Sequence, residues 1–239
     1  MRRRFFVEKF QGNAAVIAGE AAHHLGRVLR AQAGQLYELT DGEAAWLARI
    51  DSVAQDRIHF ALIEQLPAGL PRIHITLLLS IVKFDAFEWA LEKATELGVS
   101  AIVPLAALRS EKSLVAAAKK RSERWKKILL ESSQQSRRLR VPTLEDLRRP
   151  EDIFPLAAPG LRLFLSERPD APPLKKILSG APRCKTAILA IGPEGGWADD
   201  ELFAARASGF LEASLGGLIL RAETAVAAAL SILNYEYSS

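Results

Sequence analysis

The hydrophobic pattern changes period once along the chain. Up to about residue 66 the apolar positions come in short, half-buried runs. Arg4-Phe5-Phe6-Val7, Leu36-Tyr37-Glu38-Leu39-Thr40 and Ala45-Trp46-Leu47-Ala48-Arg49-Ile50 each predict a strand. Asp41-Gly42 supplies a hairpin turn between the last two. Ile58, Phe60 and Leu62 alternate with His59 and Ala61 to give one more strand. A single helix is predicted near Glu20 to Leu29, with Leu25, Val28 and Leu29 on one face. Short strands at this spacing suggest a small barrel, and Pro67-Ala68-Gly69-Leu70-Pro71 is the natural boundary.

Beyond that boundary strand and helix alternate. Ile73 to Leu79 reads as a buried strand, and Asp85 with Glu88 as a capping-box arrangement opening a helix. Phe87, Ala90, Leu91, Ala94 and Leu97 recur at helical spacing until Gly98. Ala101 to Leu105 is the next strand, with Pro104 favouring an end or an edge. One long basic helix is expected from about Val115 to Gln135, with Trp125, Ile128 and Leu129 as its apolar face. Leu161 to Leu165 is a strand ending in Ser166-Glu167, and Pro172-Pro173 opens a short helix carrying Leu174, Ile177 and Leu178. Ala187 to Ile191 is a continuous apolar strand. Asp199 or Asp200 then caps a helix carrying Leu202, Phe203 and Arg206, closed by Gly209. The last helix runs from about Glu223 to Tyr235, lined by Ala225, Ala228, Ala229 and Ile232. This is the order of an α/β domain built on a parallel sheet.

Two glycine-bearing loops end strands of that sheet: Gly192-Pro193-Glu194-Gly195-Gly196 and Ser214-Leu215-Gly216-Gly217. Glycine lets backbone approach a ligand closely, and loops at the carboxyl ends of parallel strands are where α/β proteins bind ligands. The C-terminal end of the strand before Ser166-Glu167 is expected beside the Gly192 loop. No phosphate-binding loop is present, because Trp197-Ala198 stands where Lys-Ser/Thr should follow the glycines. Gly-x-Gly-x-x-Gly never follows the first strand of the α/β region.

Composition narrows the class. With 239 residues, 49% hydrophobic and 25% charged, the chain has an ordinary soluble balance. Its longest aliphatic stretch is far below membrane-spanning length, and Met1-Arg2-Arg3-Arg4 leads into no apolar signal core. The lone Cys184 forms no intramolecular disulfide, and the four histidines show no metal-ligand spacing, so a cytoplasmic protein without membrane or metal is expected. The net charge of +4 hides an asymmetry: Lys119 to Arg140 holds nine basic residues against Glu123 and Glu131, a local +7, leaving −3 on the remainder. Arg137, Arg138 and Arg140 cluster with few acidic partners, which favours a polyanion over a plain solvated face. In the first region, His24, Arg27 and Arg30 are either a surface group or an RNA contact; adjacent His23 and His24 cannot share a metal on one helix. Glu96, one turn from Lys93, is more readily an ion-pair partner than a base.

The order of residues carries further. IGPEGG followed by SLGGLILRAETA resembles the C-terminal signature of the SPOUT methyltransferases, most closely the RsmE family, which methylates N3 of a uridine in bacterial 16S ribosomal RNA. Lys83, Lys93, Glu96-Leu97-Gly98-Val99, Arg109-Ser110 and Gln135-Ser136-Arg137-Arg138 before Val141-Pro142 resemble further family blocks. Arg-Phe-Phe-Val, then His-His-Leu-x-x-Val-Leu-Arg, then Asp-Gly resembles the family's PUA-like RNA-binding domain. The resemblance implies a PUA-like β-barrel over residues 1–70 and a SPOUT-type α/β domain with a C-terminal trefoil knot over 71–239. It also implies a homodimer, S-adenosylmethionine held in a bent form, and uridine 1498 of the small subunit's 16S rRNA as target. The cofactor residues it implies are Ser166, Glu167, Gly192, Glu194, Gly195, Gly196, Leu215, Gly216 and Leu220. Leu215, Gly216, Ile219 and Leu220 suit adenine, which needs an apolar slot with backbone groups at its edge. Arg4, His24, Arg27, Arg30, Arg109, Arg137 and Arg138 are the implied RNA contacts. Methylating N3 requires loss of the imide proton. Arg221 could bind a uracil carbonyl oxygen and favour the deprotonated base, and Glu223 is a candidate acceptor, although a first-turn carboxylate also simply suits a helix dipole. Two positions depart from the family: Trp197 stands where phenylalanine is usual, and Ala222 where threonine is usual.

Two other readings remain open at this point: a non-catalytic RNA-binding or ribosome-assembly factor, and a SPOUT enzyme with another RNA target. Intact IGPEGG and Leu-Arg-Ala-Glu-Thr argue against the first, and cofactor binding would separate it from an enzyme.

Overall fold

The computed structural model describes residues 3–28, 30–54, 56–69 and 71–237. They fall into two compact units, one of residues up to Leu70 together with Glu131–Val141, the other of Pro71–Leu130 and Pro142 onward. The clustering breaks between Leu70 and Pro71, and Glu131–Val141 groups with the first unit rather than with the α/β region that surrounds it in sequence.

The first unit is a curled, mostly antiparallel sheet. Its strands are β1 (Arg4–Phe6), β2 (Ala14–Ala18), β3 (Leu36–Thr40), β4 (Ala45–Val53) and β5 (Arg57–Leu66), in the order β1-β3-β4-β5-β2. β1 runs parallel to β3 with Phe5 opposite Leu39, and the other pairings are antiparallel. Two register shifts between β4 and β5, at Leu47/Ala48 and Ile50/Ser52, curl the sheet around Phe5, Leu25, Leu39, Ile50, Ile58 and Phe60. β1 and β2 remain the two ends of the pairing order, so the expected barrel is not closed by strand pairing among the described residues. β2 escapes the sequence pattern because Ala-Ala-Val-Ile-Ala is weak in β propensity; its pairing to β5 decides it. The expected helix of residues 20–29 is a short α1 (Gly19–His23) followed by one π-helical turn, His24–Val28. Leu25 is buried, whereas Leu29 and the Val28 side chain lie outside the described residues.

Glu131–Val141 is clasped to this sheet by side chains. Arg4 is buried, meets the Glu38 carboxylate at 2.9 Å and donates to the Arg137 carbonyl at 2.7 Å. Thr40 Oγ1 donates to the Leu139 carbonyl at 3.1 Å, and Arg140 Nε to the Gly42 carbonyl at 2.5 Å. The Arg137 guanidinium approaches Glu38 at 3.4 Å, and its backbone takes a positive φ of 56°.

The second unit is a parallel α/β sheet. In chain order it holds β6 (His74–Ser80), α2 (Phe84–Glu96), β7 (Ala101–Leu105), α3 (Lys112–Ala118), α4 (Ser122–Gln135, the end of which enters the first unit), β8 (Thr143–Leu144) and α5 (Pro150–Ile153). β9 (Leu161–Leu165), α6 (Leu174–Gly180), β10 (Thr186–Ile191), α7 (Asp199–Ala207), β11 (Leu211–Ala213) and α8 (Ala222–Tyr237) complete it. The strand order is β11-β9-β10-β6-β7-β8, every pair parallel. Leu189 sits between Leu77 and Leu163, all three fully buried, which is why these strands read as unbroken apolar runs.

Several local expectations are corrected. The long basic helix is divided by a 3₁₀ turn at Lys119–Arg121, although Trp125 and Leu129 are buried as expected. Asp85 caps nothing: α2 starts after Lys83 without a side-chain cap, and Glu88 instead binds Arg124 at 2.7 Å. α7 is likewise capped neither by Asp199 nor by Asp200. Ala198 is its N-cap, and Glu201 accepts that residue's N–H at 2.9 Å while its other oxygen accepts the N–H of Leu108 at 2.8 Å. Pro104, by contrast, takes the end alternative rather than the edge one: it lies one residue from the end of β7, which β6 and β8 flank, and stays clear of the short β8 ladder. The buried stripe of α8 is Ala222, Val226, Ala229, Leu230 and Leu233, leaving Ala225 and Ala228 half-buried and Ile232 exposed.

Candidate functional site

The parallel register brings the carboxyl ends of β9, β10 and β11 side by side, with Phe164 opposite both Ala190 and Glu212. The loops leaving them line one open cleft of about 1370 Å³ in the second unit. Ser166 and Glu167 come from the first loop, Gly192, Pro193, Glu194, Gly196 and Trp197 from the second, and Leu215, Gly216 and Leu220 from the third. Arg221 and Glu223, at the start of α8, line the same cleft. That volume exceeds the roughly 300–1,000 Å³ of ordinary small-molecule pockets, leaving room for a second reactant.

The glycine loop is shaped by its neighbours. The Trp197 indole stacks on Phe164 with centroids 4.5 Å apart, and its Nε1–H donates to the Leu165 carbonyl at 2.9 Å. That buried wall stands so close to Gly192 that a Cβ there would lie 2.8 Å from Nε1. Gly196 has a φ of +68°, and a Cβ on it would come within 3.2 Å of Glu167 Oε1. The loop backbone therefore packs directly on Trp197 and Glu167, whereas Gly216 and Gly217 face open space, with nothing within 4 Å of where a Cβ would sit. A turn hydrogen bond from Gly196 N–H to the Pro193 carbonyl at 2.9 Å fixes the loop.

Arg109 is tied into this loop: its Nη1 donates to the Gly195 carbonyl at 3.1 Å, and its Cβ is 3.3 Å from where a Gly195 Cβ would sit. Arg221 is exposed and Glu223 half-buried, and among the described residues neither side chain has a hydrogen-bond or ion-pair partner. An unpaired guanidinium on the lip of a cleft is available to an incoming carbonyl or phosphate oxygen.

The expected RNA contacts of the first unit differ in what their side chains touch. Arg4 is turned inward onto Glu38, Arg137 pairs with the same carboxylate, and Arg138 Nε donates to the Arg140 carbonyl at 3.0 Å. Burial pulls the Arg138 guanidinium down to about 10, still charged at neutral pH. His24, Arg27 and Arg30 are exposed in the first unit, Arg30 with a positive φ of 51°. Glu96 pairs with Lys93 at 2.9 Å, the bland alternative for that carboxylate.

Sequence reasoning missed α2's share of the cleft: Lys83, Asp85, Ala86 and Trp89 line it. Trp89 is 43% exposed with Lys93 Nζ 5.8 Å from its ring centroid, and an aromatic off the Phe87–Ala90–Leu91–Ala94 stripe was the available signal. Leu218 and Ile219 are 84% and 79% exposed, so the apolar slot expected around Leu215 to Leu220 is only partly walled. Among the described residues no cluster of His, Cys, Asp or Glu could hold a metal ion, and no helix is long and apolar enough to cross a membrane.

Comparison with known proteins gives a consistent outcome. Residues 69–234 match the RNA methyltransferase domain family. The ribosomal RNA small subunit methyltransferase E of Synechocystis is 35% identical over 217 residues, 89% of this chain and 70% of that protein. The protein of the same name from Bacillus subtilis is 30% identical over 92% of this chain and 89% of its own length. Among solved structures, ribosomal RNA small subunit methyltransferase E from Neisseria gonorrhoeae, bound to S-adenosylmethionine, superposes with a TM-score of 0.86 at 28% identity, covering 98% of each chain.

Proposed function

This chain belongs to the ribosomal RNA small subunit methyltransferase E family, and from that premise we propose that it methylates N3 of uridine 1498 in 16S rRNA, using S-adenosylmethionine. The observation that carries the reading is the convergence of two glycine loops, Arg221 and Glu223 on a single cleft.

The residues present fit the cofactor. Glycines at 192 and 196 let the loop backbone pack directly against Trp197 and Glu167, Trp197 and Leu215 offer apolar surface, and loop backbone supplies hydrogen-bonding groups for an adenine edge. Ser166, Glu167, Glu194, Gly195, Gly216 and Leu220 complete the cofactor set. When bound there, S-adenosylmethionine supplies an electrophilic methyl group. Arg221 holds a uracil carbonyl oxygen and stabilises the negative charge that appears on the base as the N3 proton leaves. Glu223, which lines the same cleft, takes that proton or passes it to water. Ala222 offers no hydroxyl to such a relay.

Residues 1–70 act as a PUA-like RNA-binding domain, with His24, Arg27 and Arg30 as its exposed contacts, and residues 71–239 as the SPOUT domain. In the sheet β10 lies between β6 and β9, both earlier in the chain, an insertion that supports a trefoil-knotted C-terminal segment. The protein works in the cytoplasm as a homodimer. Exposed Leu218, Ile219, Ile232 and Tyr235 support a second copy packing on this side of α8 and its preceding loop, which would wall the open slot.

The test is methyl transfer to unmodified small subunits, read by reverse transcription. An N3 methyl removes a pairing donor and stops the transcriptase one base before the modified uridine. A stop one base before uridine 1498 that depends on enzyme and cofactor is the expected result. A stop elsewhere would overturn the target, and no transfer at all the activity.

A further inference from the structure

The basic run from Lys119 to Arg140 divides into two halves with different work to do. Its C-terminal half is occupied by protein: Arg137 by Glu38, Arg138 by the Arg140 carbonyl, and Arg140 by the Gly42 carbonyl. In its N-terminal half, Arg121 and Arg124 converge on Glu88 at 3.6 and 2.7 Å, and Lys126 pairs with Glu123 at 2.8 Å. Lys119, Lys120 and Lys127 are left. All three are exposed, and among the described residues none has a hydrogen-bond or ion-pair partner.

Their placement is set by the core. Trp125 is buried against Phe87 at 4.6 Å and Phe84 at 6.2 Å, which fixes the rotation of α4. Backbone angles stay helical from Ala118 through Ser122, so the 3₁₀ turn continues into α4 with little change of direction. At helical spacing Lys120, Arg124 and Lys127 lie at i, i+4 and i+7, with Lys120 and Lys127 turned away from Trp125. Lys119 flanks them on the Lys126 side. Eight residues of helix span about 12 Å, close to the screening length of about 10 Å at 0.1 M salt, so the three ammonium groups repel one another in the absence of an anion. Glu123, one turn from both Lys119 and Lys127, is held by Lys126 and does not relieve this.

We propose that Lys119, Lys120 and Lys127 form a phosphate-docking surface for the RNA substrate, distinct from the cleft and from the Arg137–Arg140 clasp. It takes its ligand class from the rRNA-methyltransferase reading. A helix face carrying unpaired ammonium groups fits a sugar-phosphate backbone, and lysines acting as point charges position RNA without reading its sequence.

The test combines Lys119→Ser, Lys120→Ser and Lys127→Ser and measures rRNA binding across a salt series. Each phosphate contact contributes about 0.7 to 0.9 to the log–log salt slope, so the triple variant is expected to show a slope shallower by about two to three. KM for the RNA substrate should rise about ten-fold at roughly 0.1 M salt, while kcat and S-adenosylmethionine affinity stay unchanged. The corresponding triple lysine-to-arginine variant should keep the parental slope. An unchanged slope in the serine variant overturns the proposal, as does an equal loss in the arginine variant, because charge would then not be the cause. The slope needs no turnover. A parental protein that binds rRNA but transfers no methyl group would therefore sink the methyltransferase reading and leave the docking surface to stand or fall on its own measurement.

Discussion

Gly192 and Trp197 are fitted to each other: a Cβ on the glycine would lie 2.8 Å from the indole Nε1, whose hydrogen is committed to the Leu165 carbonyl at 2.9 Å. The indole cannot retreat, because it stacks on Phe164 and packs against Phe154 in the core of the second unit. The cleft's floor and the sheet's core are thus one piece of packing.

Gly192→Ala is expected to destabilise the protein by about 1–3 kcal/mol, as overpacked sites do, and to abolish cofactor binding. Trp197→Phe removes the crowded pyrrole edge. In the Gly192→Ala background it should restore part of both losses, with a coupling energy of about 1 kcal/mol in a double-mutant cycle. Thermal unfolding beside cofactor titration measures this, and strictly additive effects would show that the contact does not govern the site.

Arg221→Ala should lower kcat about 100-fold or more while leaving S-adenosylmethionine affinity within about two-fold, because the guanidinium has no partner among the described residues. Single-turnover kinetics with saturating RNA separate the two effects. A loss seen only in cofactor affinity would move Arg221 from the uracil to the cofactor.

Arg109 is predicted to act on the cofactor loop rather than on RNA, since its guanidinium is bonded to the Gly195 carbonyl. Arg109→Ala should weaken S-adenosylmethionine binding about five- to ten-fold, the worth of one ordinary exposed hydrogen bond, and leave the salt dependence of RNA binding unchanged. Calorimetry with the cofactor and binding with rRNA decide between them.

Arg4→Ala leaves the buried Glu38 carboxylate, among the described residues, with the more distant Arg137, and should cost about 3 kcal/mol of stability in the first unit. Glu38→Gln in the same background should recover part of it by removing the stranded charge. Chemical denaturation reads both. If Arg4→Ala weakens RNA binding with no change in stability, Arg4 is an RNA contact after all.

Tyr237 gives an alkaline signature. Burial of its ring, with a hydrogen bond to Cys184 Sγ at 3.3 Å, pushes the phenol up from 10.0 to about 12. The unfolded chain loses this proton first, so its contribution is fully present below pH 10 and is lost as pH rises from 10 through 12. Tyr237→Phe should remove one late-titrating step from the tyrosinate absorbance curve and flatten the fall in stability over that window.

Strand runs, glycine loops and the turn of period near Pro67–Pro71 are local properties, and for these the residue order sufficed. Ile-and-Leu-rich runs such as Ile188–Leu189 suit a strand covered on both faces, and the glycines of residues 192–196 suit a place where backbone must come close. The grouping of Arg221 and Glu223 with the Gly192 loop was expected from two strand ends lying together, and the β9–β10–β11 register supplies it. Charge was where sequence misled. An arginine reads the same whether it faces solvent or a buried carboxylate, and Arg4 and Arg137 are separated by more than a hundred residues from each other yet share Glu38. Capping was also undecided locally, because Glu201 reached both Ala198 and the distant Leu108 where Asp199 and Asp200 stood nearer in sequence. The closure of α8's core face on Val226 and Leu230 rather than on Ala225 and Ile232 depends on the helix's rotation against α2 and β10. Sequence determined which groups the chain possesses and which elements carry them; only tertiary packing decided which charges are spent inside the protein and which remain for RNA, since an ion pair depends on distance in space and not along the chain.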